Sequence, residues 1–360
     1  MRKAVLIIVA ALLGYLLFWP VPVDPVAWQA PEAPDMAGPY APNEALAAVT
    51  RHGEGVGVGP EDVAIDGLGQ IYVGYEDGRI VRFDVRGENP QQIADTQGRP
   101  LGLDFDPQGN LIIADGHKGL LRLGMGGNLQ VLTTESDGLP FGFTDDVDVA
   151  ADGMIYFSDA SSKFGPAMKA LDDILEHGGH GRLLQYDPER GITRTLLDGL
   201  QFANGVAVCP DDECVLVTQT GSYNVVRYWL KGEKAGTHDI FFDNLPGIPD
   251  GISSNGTGTY WLALFTPRNR MLDQMSGLPF LRKVAWRLPA FVQPKPAAHA
   301  FVLGLDQDGN VTHNLQHQGA DSFHPITSVE QANQTLYLGS LNQPAWATLP
   351  LPPASVSAGE

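Results

Sequence analysis

Runs of alternating apolar and polar residues recur along most of this chain, and each is followed by a turn and a second, more apolar run. The turns carry Asp, Asn, Gly or Pro, residues that end strands and form tight connections. A hairpin that recurs at intervals of roughly 40 residues is typical of a β-propeller with one four-stranded blade per copy. The pattern therefore predicts an all-β fold, a six-bladed β-propeller. Its copies begin at Glu61, Leu101, Asp145, Asn204, Asp250 and Ile326.

Each copy leaves room for a third and a fourth strand, which in the first copy fall near residues 79–84 and 91–95. The sixth copy lacks a fourth strand at its C-terminal end. We expect residues 45–51 to supply that strand, because a closed ring leaves no exposed sheet edge.

The third and fifth copies are too long, with the excess after the second strand. The first insertion, residues 166–181, carries Met168, Leu171 and Leu175 at helical spacing, which predicts a short amphipathic helix. The propeller is therefore expected to carry helical insertions in blades 3 and 5.

The second insertion, residues 267–296, mixes large apolar with basic residues in an otherwise acidic chain. Three interpretations stay open: a lid over a substrate pocket, a surface (residues 268–291) resting on a membrane, or a helix that only covers the propeller. The apolar members are Met271, Leu272, Met275, Leu278, Phe280, Leu281, Trp286, Leu288 and Phe291, and the basic members are Arg268, Arg270, Arg282, Lys283 and Arg287.

The N-terminus reads as an export signal, because Arg2 and Lys3 precede sixteen mostly apolar residues, 4–19. As a helix this run would measure roughly 24 Å, slightly short of a full span. We favour an uncleaved single-pass anchor with a cytoplasmic N-terminus, so that the propeller is exported to the periplasm or extracellular side. The alternative is a cleaved signal and a secreted protein.

The domain layout follows from these segments. Residues 1–20 form the anchor, 21–42 a Pro/Ala-rich tether, 43–350 the propeller and 351–360 a tail. The formal net charge of −19 argues against a nucleic-acid partner. The chain's two cysteines, Cys209 and Cys214, flank one hairpin turn, where a disulfide and a pair of buried thiols are both open.

The first residue of each copy enters the innermost strand of its blade, so all six positions converge on the central axis. Four of them carry oxygen ligands, namely Glu61, Asp145, Asn204 and Asp250. Such a set suits Ca²⁺, whereas zinc or copper would favour imidazole or thiolate. The sequence therefore predicts a calcium site formed by these four residues.

Several motifs in order along residues 45–350 resemble strictosidine-synthase-like proteins. The chain is most similar to their adipocyte plasma-membrane-associated branch, within a superfamily that includes paraoxonases and gluconolactonases. The resemblance implies a six-bladed calcium propeller. The motifs are Tyr-Phe-Ser-Asp-Ala-Ser-Ser-Lys-Phe at 156–164, Gly-Arg-Leu-Leu-Gln-Tyr-Asp-Pro at 181–188, Phe-Ala-Asn-Gly-Val at 202–206, Leu-Val-Thr-Gln-Thr at 216–220, Leu-Pro-Gly-Ile-Pro-Asp-Gly at 245–251 and Leu-Tyr-Leu-Gly-Ser-Leu-Asn-Gln-Pro at 336–344.

The resemblance places the family's calcium ligands on Glu61, Asn204 and Asp250. Its third-blade Asn-Asp pair becomes Asp145-Asp146 here, which adds a negative charge. Paraoxonases carry a further Asn where this chain has Gly251, so a water would replace that ligand.

The catalytic residues of the family transfer less well. Strictosidine synthase uses a Glu in a region that here, at 262–268, has no acid, so its condensation reaction is not expected. Paraoxonases place a histidine where this chain has Leu101, and a second one close to His117. The candidate catalytic residues are therefore His117, Asp146 and His324.

These residues favour a calcium-dependent hydrolase acting on a small-molecule lactone or aryl ester. The alternative is a non-catalytic propeller, stabilised by calcium, that binds a hydrophobic small molecule or a membrane partner.

Overall fold

The computed structural model describes residues 2–165, 170–289, 291–293 and 295–354. Twenty-four strands form six four-stranded antiparallel sheets, and the innermost strands contact one another in a closed ring. This arrangement confirms the six-bladed β-propeller.

The blades follow one another along the chain, except that β1 (Thr50–His52) belongs to the last. The bounds are: blade 1, β2 Val63–Ile65, β3 Ile71–Gly74, β4 Arg79–Phe83, β5 Gln91–Asp95; blade 2, β6 Pro100–Phe105, β7 Leu111–Asp115, β8 Gly119–Leu123, β9 Leu129–Thr133; a two-stranded hairpin, β10 Glu135–Ser136 and β11 Leu139–Pro140; blade 3, β12 Thr144–Val149, β13 Ile155–Asp159, β14 Gly181–Asp187, β15 Ile192–Leu200; blade 4, β16 Ala203–Val208, β17 Cys214–Gln219, β18 Asn224–Trp229, β19 His238–Phe242; blade 5, β20 Gly247–Ser254, β21 Tyr260–Pro267, β22 His299–Leu305, β23 Val311–Gln318; blade 6, β24 Val329–Ala332, β25 Thr335–Leu338, β26 Trp346–Pro350.

The N-terminal part of the chain closes the ring, as the sequence predicts. Strand β1 pairs antiparallel with β26, and His52 lies opposite Trp346. The closing strand begins later than expected, because Ala45–Ala48 forms a 3-10 helix. That helix buries Leu46 completely in the apolar cluster between blades 5 and 6.

Four helices complete the described structure: α1 Arg2–Phe18, α2 Ala170–Glu176, α3 Arg270–Met275 and α4 Pro279–Arg287. Helix α2 lies between β13 and β14 of blade 3, and α3 and α4 lie between β21 and β22 of blade 5. Met168, expected in the first of these helices, falls outside the described residues. No helix in the described part of the chain has both the length and the apolar character needed to cross a membrane.

Buried apolar side chains of the described residues form six clusters, one at each junction between neighbouring blades. The junction between blades 1 and 6, for example, packs Phe83 edge-on against Trp346 with ring centroids 5.5 Å apart. Each blade therefore contributes to two of these clusters, and the apolar core forms a ring around a polar axis.

The inner strands belong to separate sheets, and side chains join them across every junction. Asp62 accepts a hydrogen bond from the Leu103 amide at 2.9 Å, and the Thr327 hydroxyl donates to the Glu61 carbonyl at 2.8 Å. These bonds satisfy backbone groups that a sheet edge would otherwise leave unpaired. Hydrogen bonds at the other four junctions join Asp104 with Val149, Asp146 with Val206, Thr218 with Asp250, and Ser253 with Val329.

The two cysteines are joined in a disulfide across the 3-10 turn Pro210–Asp212 of blade 4. Closing so short a loop contributes roughly 2 kcal/mol to the free energy of unfolding in the chain-entropy account.

Residues 21–42, the segment whose composition predicts a tether, bind along the propeller and its insertions. The Val26 amide donates to the carbonyl of Glu176 at 2.8 Å, and Trp28 stacks on His177 with centroids 4.1 Å apart. Arg268 donates to the carbonyl of Pro31. We refer to residues 21–42 as the strap.

Candidate functional site

The candidate site lies at the end of the central channel where the inner strands begin, which we call the upper face. In each antiparallel blade the connection from the second to the third strand returns to this same face. Both helical insertions are connections of that kind. The insertions and the strap that binds them therefore surround the upper entrance of the channel.

The four predicted calcium ligands all lie at this end of the channel. Glu61 immediately precedes the β2 region, and Asp145, Asn204 and Asp250 lie near the start of β12, β16 and β20. Their exposed fractions are only 8%, 5%, 6% and 7%, respectively. The structure thus brings together, on four different blades, the residues that the sequence register predicts.

A recurring irregularity explains how these strands present their side chains. The pairing register shifts between Thr144 and Val147 in β12, and between Ala203 and Val206 in β16. Equivalent shifts occur in β20, before Ile252, and in β6, before Leu103. A β-bulge at these positions interrupts the strict alternation of side chains and re-aims them. As a result, consecutive residues such as Asp145 and Asp146 can both interact across the channel.

Burial raises the pKa of all three carboxylates of the upper layer, and neighbouring negative charges raise the pKa of two of them further. Burial raises the pKa of Glu61 well above its usual range, and the charges of Asp145 and Asp250 raise it further. Burial and the charge of Asp250 do the same for Asp145. Burial raises the pKa of Asp250 to about 7, although a hydrogen bond from Asn204 opposes the shift. Such a group of acids is stabilised by binding either protons or a cation.

The donor chemistry fits calcium, because carboxylate and amide oxygens are its usual protein ligands. Among the residues that the structure describes, however, no three His, Cys, Asp or Glu side chains are positioned to enclose a metal ion as they stand. Glu61, Asp145, Asn204 and Asp250 are the residues that would hold calcium if their side chains closed around it.

Arg99 is a member of this site that the sequence analysis missed. Its side chain is buried, with 7% exposed, and Nη1 donates to the carbonyl of Gly59 at 3.0 Å. Burial lowers its pKa, while the negative charges of Glu61 and Asp145 oppose that shift. A buried guanidinium near two of the predicted ligands partly neutralises the site. No local motif marks Arg99, which lies two residues before the inner-strand position Leu101.

The remaining two inner-strand positions are apolar. Leu101 is 2% exposed and Ile326 is fully buried. The predicted oxygen ligands therefore occupy blades 1, 3, 4 and 5, and Ile326 of blade 6 instead packs into the apolar cluster between blades 5 and 6.

A second layer of acids lies one level deeper, around a cavity of about 100 Å³. Burial raises the pKa of each of its members, most strongly where another carboxylate is near, as for Asp104 beside Asp148. Several of them also accept the backbone hydrogen bonds that join neighbouring blades. The acidic residues of this layer are Asp62, Asp104, Asp146, Asp148 and Glu330.

The predicted catalytic residues occupy three different environments. Asp146 is tightly held, since its Oδ1 accepts from the Val147 amide at 2.8 Å and its Oδ2 from the Val206 amide at 2.7 Å. His117 is exposed in the turn after β7. His324 precedes a cis bond to Pro325 and hydrogen-bonds through Nδ1 to the Ser322 hydroxyl at 2.7 Å. Their catalytic roles stay predictions.

An ion pair supports the third blade beneath this site. Asp159 is fully buried and accepts from Arg182 at 2.7 Å and 3.1 Å. Asp159 also accepts from the amides of Gly142 and Phe143, in the segment that leads into β12. This network fixes the approach of the strand that carries Asp145 and Asp146.

Comparison with known proteins confirms the resemblance found in the sequence. Residues 145–233 match the strictosidine synthase family, and residues 38–83 match the N-terminal part of strictosidine synthase-like proteins. The chain is 36% identical over 316 residues to strictosidine synthase-like protein 10 of Arabidopsis thaliana, covering 79% of this chain and 83% of that protein. The chain belongs to the strictosidine-synthase-like family.

Within that family the chain is also similar to the adipocyte plasma membrane-associated protein of Bos taurus. The two are 32% identical over 356 residues, which cover 92% of this chain and 86% of that protein.

Solved structures with the same fold include a gluconolactonase from Xanthomonas campestris, with a TM-score of 0.61 and 20% identity. That match covers 85% of this chain and 91% of the other. The calcium-binding protein regucalcin from Agrobacterium tumefaciens matches with a TM-score of 0.57 and 14% identity, over 83% of this chain and 90% of that one. At these identities the likeness shows the propeller fold.

Proposed function

We propose that this protein is a calcium-dependent hydrolase that acts on lactones or aryl esters at the upper end of its channel. The observation that carries the proposal is the buried layer formed by Glu61, Asp145, Asn204 and Asp250. The gluconolactonase and regucalcin folds add support, since one is a lactone hydrolase by name and the other binds calcium.

In this proposal Glu61, Asp145, Asn204 and Asp250 would hold the ion, and calcium would supply Lewis-acid polarisation of an ester carbonyl. Arg99 adds a fixed positive charge beside Glu61 and Asp145. A water would be activated by Asp146, His117 or His324, and Asp146 is the one that lies within the channel.

The direct test is hydrolysis of phenyl acetate and of a γ-lactone by the full-length protein in detergent. We expect activity that disappears with excess chelator and returns with Ca²⁺. The variants Asp146→Asn, His117→Gln and His324→Gln would then be compared. The general base is the residue whose substitution lowers the rate of hydrolysis while calcium stays bound. Undiminished hydrolysis by the fully chelated protein would contradict the proposal.

A second candidate function is a non-catalytic propeller that binds a hydrophobic small molecule, with calcium as a structural ion. The specific observation in its favour is the buried Leu101, at the position where the paraoxonase resemblance implies a histidine. Strand β21 (Tyr260–Pro267) likewise carries no acid. A protein that holds calcium, melts lower without it and hydrolyses neither substrate would favour this function.

We propose further that α1 acts as an N-terminal membrane anchor and that the propeller is exported. The membrane association named for the adipocyte relative and the disulfide between Cys209 and Cys214 support this, because disulfides persist in oxidising compartments. Expression in a secreting host should leave the protein in the alkaline-washed membrane fraction with α1 retained. Recovery of a soluble protein that begins after residue 20 would instead show a cleaved signal.

A further inference from the structure

Helix α4 has its polarity reversed relative to a helix on the surface of a soluble protein. Phe280 is 53% exposed and Leu281 is 42% exposed, whereas Arg282 and Arg287 are only 3% and 6% exposed. A surface helix normally turns its apolar stripe toward the core and its charges toward water. The reversal therefore needs a physical reason.

The reason lies in the partners of the two arginines. Arg282 donates to the carbonyls of Leu175 and Ser276, both at 2.9 Å, and to the carbonyl of Val26 in the strap. It thus ties α2, the end of α3 and the strap to α4. Because the Arg282 guanidinium occupies the inner side of α4, the apolar side chains of Phe280 and Leu281 face outward.

Arg287 makes the equivalent connection to α1. Its Nε donates to the carbonyl of Trp19 at 2.7 Å, and its Nη1 donates to the carbonyl of Leu16 at 2.9 Å. These carbonyls belong to the C-terminal end of α1, where a helix leaves carbonyl groups unpaired and where a positive charge is favourable. The apolar helix α1 is therefore docked on the blade-5 insertion.

The outward apolar side chains of the insertion and those of α1 consequently belong to one surface, which we call the apolar platform. Within α1 apolar residues on every side of the helix are exposed, so no single protein face covers them. The platform residues with large exposed fractions are Val5, Leu6, Ile7, Ile8, Val9, Leu12, Leu13, Phe18, Trp19, Met271, Leu278, Phe280, Leu281, Phe291 and Val292.

We propose that the part of the apolar platform on the blade-5 insertion, including the outer side of α4, lies in the interfacial region of the anionic lipid bilayer into which α1 inserts. A helix that is apolar all round requires an apolar solvent rather than one flat partner, and lipid provides it. Basic residues at the edges of the platform, Arg2, Lys3, Arg270 and Lys295, complement anionic headgroups in a chain whose net charge is −19. A second copy of the chain would instead bring these like charges together.

The proposal goes beyond an N-terminal anchor, because it places the propeller itself on the membrane. The insertions belong to the upper face, so contact through α4 would hold the upper end of the channel toward the bilayer. An anchor that was not docked on the insertion would leave the propeller free to rotate on its attachment.

The test compares two probes on the same full-length, vesicle-bound protein. The native cysteines are both in the disulfide, so a single new thiol can be labelled with an environment-sensitive fluorophore. Phe280→Cys reports on the platform. Leu68→Cys, a site that is 80% exposed between β2 and β3 on the opposite face, is the matched control. Since α1 is identical in both proteins, anchoring through α1 cannot produce a difference between them.

On vesicles of phosphatidylcholine and phosphatidylglycerol, we expect the probe at 280 to brighten, shift to the blue and be quenched by nitroxide lipids. A nitroxide near the headgroup should quench more than one near the chain end, because interfacial helices lie about 5–10 Å deep. The probe at 68 should stay unchanged. Equal exposure to water at both positions on bound protein would overturn the proposal. The proposal would also be overturned if the probe at position 280 were shielded from water without vesicles and more so at higher protein concentration. That result would identify a second copy of the chain as the partner.

Discussion

Replacing Glu61 by Gln is expected to lower calcium affinity by at least about 10–100-fold, since even outer-shell changes at metal sites cost that much. Hydrolysis that depends on calcium should fall at least in parallel. The substitution keeps the size of the side chain and leaves the Glu61 carbonyl, which accepts from Thr327, in place. It removes only the charge that faces Asp145 and Asp250. Calorimetric calcium titration and phenyl acetate rates would measure the two effects.

The same variant carries an internal check against misfolding. Because the charges of Glu61, Asp145 and Asp250 repel one another, Glu61→Gln should raise the melting temperature of the calcium-free protein while reducing the gain produced by calcium. Glu233→Gln, an exposed site, is the matched control and should change neither quantity. Calcium binding of wild-type strength in Glu61→Gln would show that Glu61 is not a ligand.

The calcium-free protein should lose stability as the pH rises from about 4 to about 7, the reverse of ordinary acid denaturation. The folded pKa of Asp250, about 7, lies above the usual aspartate value of 3.8. Below pH 4 the Asp250 carboxyl is protonated in both the folded and the unfolded state, so it does not lower the free energy of unfolding. As the pH rises toward 7 the unfolded chain releases its proton first, so the folded state loses roughly 4 kcal/mol at 1.36 kcal/mol per pH unit.

Calcium should remove this loss of stability, because the bound ion takes the place of the protons on the buried carboxylates. Thermal melts near pH 5 and near pH 8, with calcium and with chelator, should therefore show a much larger stabilisation by calcium at the higher pH. Asp250→Asn should flatten the pH dependence of the chelated protein. If the stability of the chelated wild-type protein rises over this pH range, the carboxylates of the upper layer are not buried together as described.

Local sequence patterns were sufficient to predict the blades and to select the four candidate ligands. Alternation with a period of two residues is a property of each strand, and the Asp/Gly/Asn turns are a property of each hairpin, so six copies could be aligned without tertiary information. Once aligned, Glu61, Asp145, Asn204 and Asp250 had to meet, because a propeller brings equivalent inner positions to one axis. In the structure all four side chains are buried, on four different blades.

The deeper acids were visible in the sequence, but their role was not. Asp146 was a candidate catalytic residue and Asp62 and Asp104 drew no prediction, yet each accepts a backbone hydrogen bond from the next blade. Only the relative position of two inner strands, roughly 40–60 residues apart, makes that role visible.

The composition of residues 21–42 indicated a tether, and for residues 267–296 a lid, a surface resting on a membrane and a covering helix all stayed open. In the structure the strap is bound, and the arginines Arg282 and Arg287 are buried because carbonyls of Val26, Leu16 and Trp19 receive their hydrogen bonds. These partners lie more than 250 residues away along the chain, where no periodicity or motif relates them. The sequence by itself thus determined the repeat and the candidate ligands, which depend on local alternation and symmetry. Tertiary structure alone decided the place of Arg99, the joining of the blades and the outward apolar face of α4, because each depends on which distant backbone groups need a partner.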